Sequence, residues 1–97
     1  MNYRITFSTY VNKTKTYTKK PELVQALGLM ADSIGIAGFS LTDSTGYYLK
    51  TIEPSHGLTV FDVAPEQARE FAGLIKSYFK QLEVILEQLP PSNVEFI

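Results

Sequence analysis

The sequence predicts an α+β fold whose elements run β-α-β-β-α-β. Three observations predict it: an alternating apolar stretch opens the chain, two segments carry apolar residues at helical spacing, and short β-rich runs lie between and after them.

At the start, Tyr3, Ile5, Phe7 and Thr9 alternate with Arg4, Thr6 and Ser8, the period of a strand that covers one face of a core. Residues 12–20 (NKTKTYTKK) have no apolar periodicity and read as an exposed loop or a frayed strand extension. Thr18 and Pro21 supply helix-start chemistry, since proline's missing N–H costs nothing in a first turn. Leu23, Leu27, Met30, Ala31 and Ile34 then form one stripe of an amphipathic helix, and Gly35 is placed to end it in a left-handed conformation.

Residues 36–63 are strand-rich, with Phe39 and Leu41, then Tyr47 to Ile52, then Leu58 to Val63. Turn signals interrupt them at Asp43-Ser44-Thr45-Gly46 and at Glu53-Pro54-Ser55-His56-Gly57. Two long strands joined at the second signal preserve the regular alternation better than three short ones. The second helix starts at Asp62 to Pro65 and buries Ala68, Phe71, Ala72, Ile75, Tyr78, Phe79 and Leu82. Val84-Ile85-Leu86 suits a sheet interior, Pro90-Pro91 breaks the run, and Val94 and Phe96 suit a short edge strand. Right-handed crossovers would then put both helices on one face of an antiparallel sheet of four or five strands, the ferredoxin-like arrangement.

The chain has 97 residues, enough for a single domain over 1–97 and too few for two cores. Hydrophobic residues make up 44% of it, which is enough to build a core. Cysteine is absent, which favours a reducing compartment, and no apolar run approaches the roughly 18 residues of a membrane span. We therefore expect a cytoplasmic protein with no membrane partner. Charge is unevenly placed: residues 1–21 hold five bases and no acid, whereas residues 22–97 hold four bases against ten acids, a net of −6.

No catalytic motif stands out. The single histidine, His56, lies between Ser55 and Gly57 in a turn signal, and an exposed turn histidine outweighs a catalytic base. Asp43, Glu53 and Asp62 fall at loop ends without the spacing of a metal site, and no glycine-rich run resembles a phosphate loop. The expectation is no catalytic residue, no cofactor and no metal. Base stacking on Tyr3, Phe7, Phe39 and Tyr47 lacks the accompanying basic residues, so direct nucleic-acid binding is not expected.

Gly38-Phe39-Ser40-Leu41-Thr42, Gly46-Tyr47-Tyr48, Glu53-Pro54-Ser55, the run 81–86 (QLEVIL) and Val94-Glu95-Phe96-Ile97 resemble small proteins of phages and mobile elements. These look like the PII/CutA branch of the ferredoxin-like fold, with a departure at Leu82. In length, lack of cysteine and acidic body the chain is also similar to anti-CRISPR proteins. That resemblance implies a non-enzymatic inhibitor acting in a bacterial host cell. It would be monomeric, bind subunits of a Cascade-type CRISPR surveillance complex and block target DNA, with DNA mimicry as one route. The contact residues would be Asp43, Tyr47, Tyr48 and Glu53 around the central hairpin, and Asp62, Glu66 and Glu70 at the second helix. The alternative is a PII-like trimeric sensor binding a small molecule between subunits, where Lys50 or Arg69 could serve.

Overall fold

β1 (Asn2–Ser8) is the strand on which the sheet is built, because its alternation gives it two different faces. In a computed structural model of the chain, it pairs antiparallel on one side with β5 (Ser55–Val60) and on the other with β6 (Val84–Leu89). β4 (Phe39–Ser44) lies outside β5, and β7 (Val94–Phe96) lies outside β6, giving the sheet order β4-β5-β1-β6-β7. Two short strands, β2 (Tyr10–Val11) and β3 (Lys15–Thr16), form a separate antiparallel pair. The structure describes residues 1–8, 10–11, 15–16, 20–44, 55–81, 83–89 and 94–97.

The two helices are α1 (Lys20–Ser33) and α2 (Pro65–Tyr78). They cover the face that carries Tyr3, Ile5 and Phe7, and the core also takes Leu23, Leu27 and Met30 from α1 and Phe71, Ala72 and Ile75 from α2. This is the expected ferredoxin-like α+β fold. Of the described residues expected in the core, Ile34 and Leu41 are only partly buried and Tyr78 is exposed, while the two helix stripes are otherwise buried. Phe39 meets Phe71 edge-on at 6.3 Å, and Phe7 stacks on Phe79 at 5.9 Å, so aromatic pairs tie the edge strand β4 to α2 and the central strand β1 to the residue that follows α2. With Tyr3 and Phe7 beneath the helices, they are not displayed for base stacking.

Both helices end in the same way. After α1, Ile36 N–H donates to Ala31 O at 2.9 Å and Gly35 N–H donates to Asp32 O at 3.3 Å, with Gly35 at φ +76°. This is a Schellman cap, and it satisfies carbonyls that the helix leaves open. After α2, Gln81 N–H donates to Lys76 O at 2.9 Å and the left-handed residue is Lys80, at φ +51°.

Two details differ from the sequence reading. Ser55, His56 and Gly57 are strand, not turn, because they pair with Ser8, Phe7 and Thr6 in the middle of the sheet. Tyr78 is 61% exposed, since the buried stripe runs from Ile75 to Phe79, four residues on, and leaves Tyr78 off it. Around the segment read as an exposed loop or a frayed strand extension, Tyr10–Val11 and Lys15–Thr16 form a small strand pair. The expected strand from Tyr47 to Ile52, together with Leu82 and Pro90-Pro91, lies outside the described residues. No helix among the described residues is long and apolar enough to cross a membrane.

Phe71 is completely buried, so Phe71→Ala should cost about 3–5 kcal/mol in denaturant unfolding. Gly35→Ala should cost about 1 kcal/mol, because it forces an L-residue into the left-handed region at an otherwise open position.

Candidate functional site

A cleft of about 300 Å³ opens where the first turns of α2 pass over β6 and β7. Sequence alternation builds its floor. Tyr3 pairs with Gln88 and Leu86 pairs with Glu95, so all four share the helix-facing side of the sheet. Pro65 and Arg69 are one helical turn apart and form the opposite wall, and Met1 and Val94 complete the rim. The Tyr3 hydroxyl lies 3.6 Å from the Met1 sulfur.

The charged end of the cleft is a bidentate pair. Arg69 Nε donates to Glu95 Oε2 at 3.0 Å and Nη2 donates to Glu95 Oε1 at 2.8 Å. The hydrogen bond from Arg69, and then its charge, hold the Glu95 carboxyl below its ordinary range. Reciprocally, the hydrogen bond to Glu95 and its charge raise Arg69 further. The two side chains are 52% and 40% exposed, so solvent screens the pair, and its stabilising effect is small. Two turns further along α2, Lys76 Nζ donates to the main-chain oxygen of Ile97 at 2.7 Å. Two cations of one helix thus hold the edge strand β7 and fix the position of Glu95.

The other face of the sheet carries a row of cross-strand partners, Val94–Glu87–Arg4–Thr59–Ser40. Glu87 is 4% exposed and its Oε1 lies 3.5 Å from Arg4 Nη1, an ion-pair distance without hydrogen-bond geometry. Thr6 and Ser55 are also buried on this face. Burying a carboxylate is expensive unless a cation accompanies it, so Arg4 and Glu87 stand or fall together.

Of the expected contact residues, Asp43, Asp62, Glu66 and Glu70 lie among the described residues. Asp62, Glu66 and Glu70 are exposed, Asp62 in a left-handed turn where its N–H donates to Asn2 Oδ1 at 3.1 Å. Asp43 lies on β4 opposite His56, whereas Asp62 follows Val60 at the far end of β5. Four residues of strand separate those backbone positions by about 13 Å. Tyr47, Tyr48, Glu53 and Lys50 lie outside the described residues. His56 is not an exposed turn residue: it is 4% exposed, with its ring 5.4 Å from that of Phe7. No group of three or more potential metal ligands gathers among the described residues.

The sequence reading placed Arg69 only as a sensor's basic residue, weighed Tyr3 only for base stacking, and passed over Gln88 and Glu95 as site residues. Arg69 and Glu95 are 26 residues apart, and only the pairing of β7 with β6 brings them together.

No protein-family profile matches the chain, and no curated protein matches it in sequence. Among solved structures, it is similar to a phage SAM lyase in complex with S-methyl-5'-thioadenosine, with a TM-score of 0.70 at 18% identity over 99% of this chain and 87% of the other. It is similar also to a phage SAM lyase in the apo state, with a TM-score of 0.73 at 21% identity over 99% of this chain and 86% of the other. At such identities the likeness establishes the shared fold.

It also corrects the functional expectations. Over nearly the whole chain the neighbours are enzymes with a small-molecule ligand, neither anti-CRISPR proteins nor PII/CutA-like sensors. The expected non-enzymatic inhibitor, its CRISPR surveillance complex partner and DNA mimicry are overturned, and so is the PII-like trimeric sensor.

The Arg69–Glu95 pair should show a simple pH signature. Because Glu95 titrates lower when folded, its contribution is present above the ordinary carboxylate range and is lost as pH falls through the lowered folded value. Hydrogen exchange in β7 should therefore be faster in Glu95→Gln than in the unsubstituted protein near neutral pH. The difference should close in acid and shrink in high salt.

Proposed function

We propose that the chain is a lyase of S-adenosylmethionine, acting as one folded unit in the cytoplasm of a phage-infected cell. The observation that carries this reading is the likeness to phage SAM lyases over 99% of the chain. Supporting it, the cleft has the size of a small ligand site and brings the polar groups of Arg69, Gln88 and Glu95 together with Met1, Pro65 and Leu86.

The chemistry suits a protein without a nucleophile motif. S-methyl-5'-thioadenosine is what remains of S-adenosylmethionine when the bond from sulfur to the amino-acid side chain breaks. The bond pair goes to sulfur, and the sulfonium becomes a neutral thioether, so the leaving group needs no general acid. The four-carbon fragment completes its valence by closing on its own carboxylate or by losing a proton to a base, and no water is consumed. Opposite charges disappear in the ring-closing route, which an apolar surrounding favours over water. In the cleft, Met1, Pro65 and Leu86 contribute apolar surface beside Tyr3.

The test is to incubate the purified chain with S-adenosylmethionine and no methyl acceptor, and to follow products by liquid chromatography and mass spectrometry. S-methyl-5'-thioadenosine should accumulate mole for mole as substrate disappears, well above a protein-free control. Intact substrate after incubation with equimolar protein would overturn the reading.

A further inference from the structure

The Arg69–Glu95 pair has binding capacity that its mutual contact does not use. A guanidinium has two edges that can each engage a carboxylate in a fork. Glu95 takes the edge formed by Nε and Nη2, which leaves the end edge at Nη1 available. Each Glu95 oxygen accepts one hydrogen from Arg69 and retains a further lone pair. Both groups line the cleft, next to its apolar floor at Leu86.

From this geometry we infer that Arg69 and Glu95 form a charge clamp for a zwitterionic amino-acid head, Arg69 receiving the α-carboxylate on its end edge and Glu95 receiving the α-ammonium. The inference rests on the proposed lyase reading for the identity of the whole substrate, but the clamp itself recognises the head alone.

Three observations converge on it. The pair presents opposite charges side by side, as an α-amino acid does, so the two dipoles can align head to tail without either ion leaving its partner. The pair is held in place before a ligand arrives, Arg69 by its helix and Glu95 by a strand tied at Ile97 to Lys76, which lowers the ordering cost of binding. The local charge also fits. Glu66 stands one helical turn before Arg69 on α2, so a second carboxylate is a neighbour of the one cation. That net negative charge matches the one net positive charge of S-adenosylmethionine, and the neutral S-methyl-5'-thioadenosine loses both the head and the charge. The clamp would therefore hold substrate and let the nucleoside product go.

The test compares the dissociation constants of three non-reacting ligands by calorimetry: S-adenosyl-L-homocysteine, its decarboxylated analogue and S-methyl-5'-thioadenosine. The unsubstituted protein should bind the first about tenfold or more tightly than either of the others. Arg69→Met should bring the first two to near equality and leave S-methyl-5'-thioadenosine unchanged, with folding checked by circular dichroism. L-Methionine is added as a probe of the head alone, read by the shifts of Tyr3 and Leu86 resonances in the unsubstituted protein and in Arg69→Met. If the adenosyl ligands bind without regard to the head, or if Arg69→Met weakens all three alike, the clamp is wrong and the lyase reading stands. If head-dependent binding is found but S-adenosylmethionine is not cleaved, the clamp stands and the lyase reading falls. If none of these ligands binds, both are overturned.

Discussion

The register of β1 is the constraint from which the rest of the structure follows. It is paired on both sides, so every backbone polar group in its middle is satisfied by β5 or β6, and neither neighbour can shift without breaking that ladder. Side chains alternate strictly, so the register decides which residues meet the helices. Tyr3, Ile5 and Phe7 go into the core, and Arg4 and Thr6 go to the other face. A slip of one residue would place Arg4 under α2 and expose Ile5, exchanging a buried apolar set for a buried charge. The same register sets Glu87 beside Arg4 and Gln88 beside Tyr3. The ion pair on one face and the cleft floor on the other are therefore two consequences of one pairing.

The helices are fixed to this strand through polar side chains at their ends. Gln67 accepts from Ala64 N–H at 3.0 Å and donates to Ile34 O at 3.1 Å, so one amide closes the start of α2 and the end of α1. Gln81 does the corresponding work after α2, where its Oε1 accepts from Ser8 N–H at 2.8 Å in a buried position. A hydrogen bond out of reach of water is costly to leave unmade, so these amides set orientation as well as adding stability. They matter for the cleft because Arg69 stands only two residues beyond Gln67. The position of the guanidinium is inherited from the junction of the two helices.

Much of the fold was legible in the sequence because it rests on local periodicity. The stripe Leu23, Leu27, Met30 and the stripe Ala68, Phe71, Ala72, Ile75 are written at helical spacing, and Gly35 marks the end of α1. The misreadings have a common cause. Ser55-His56-Gly57 has the composition of a turn, but its pairing with β1 and the ring of Phe7 make it strand, a tertiary effect that propensity does not carry. Lys80 takes the left-handed position where glycine would have signalled a helix end. The site was less legible still. Arg69, Tyr3, Gln88 and Glu95 come from four separate elements, and no spacing within the chain announces their meeting. The acids that did stand out, Asp62, Glu66 and Glu70, stood out because they are exposed around a helix start, where the macrodipole favours them whatever the protein does.

A search for nucleophile, base and orienting group tests only for reactions in which the protein must supply a reacting atom. It excludes acyl transfer by a triad in a chain with one buried histidine, but it says little about a reaction whose substrate already contains both a charged leaving group and an internal carboxylate. For such a substrate the larger part of the barrier is orientation, and binding in a reactive conformer can lower it without a dedicated side chain. What the protein must then provide is a rigid position for the head, a site for the nucleoside and a surrounding poorer in water than solution. Edge strands of a stiff antiparallel sheet, tied down by helix cations, are a direct way to provide the first of these. On the proposed reading, the lack of a motif and the fixed Arg69–Glu95 pair are parts of one account: the chemistry resides in the ligand, and the fold supplies its geometry.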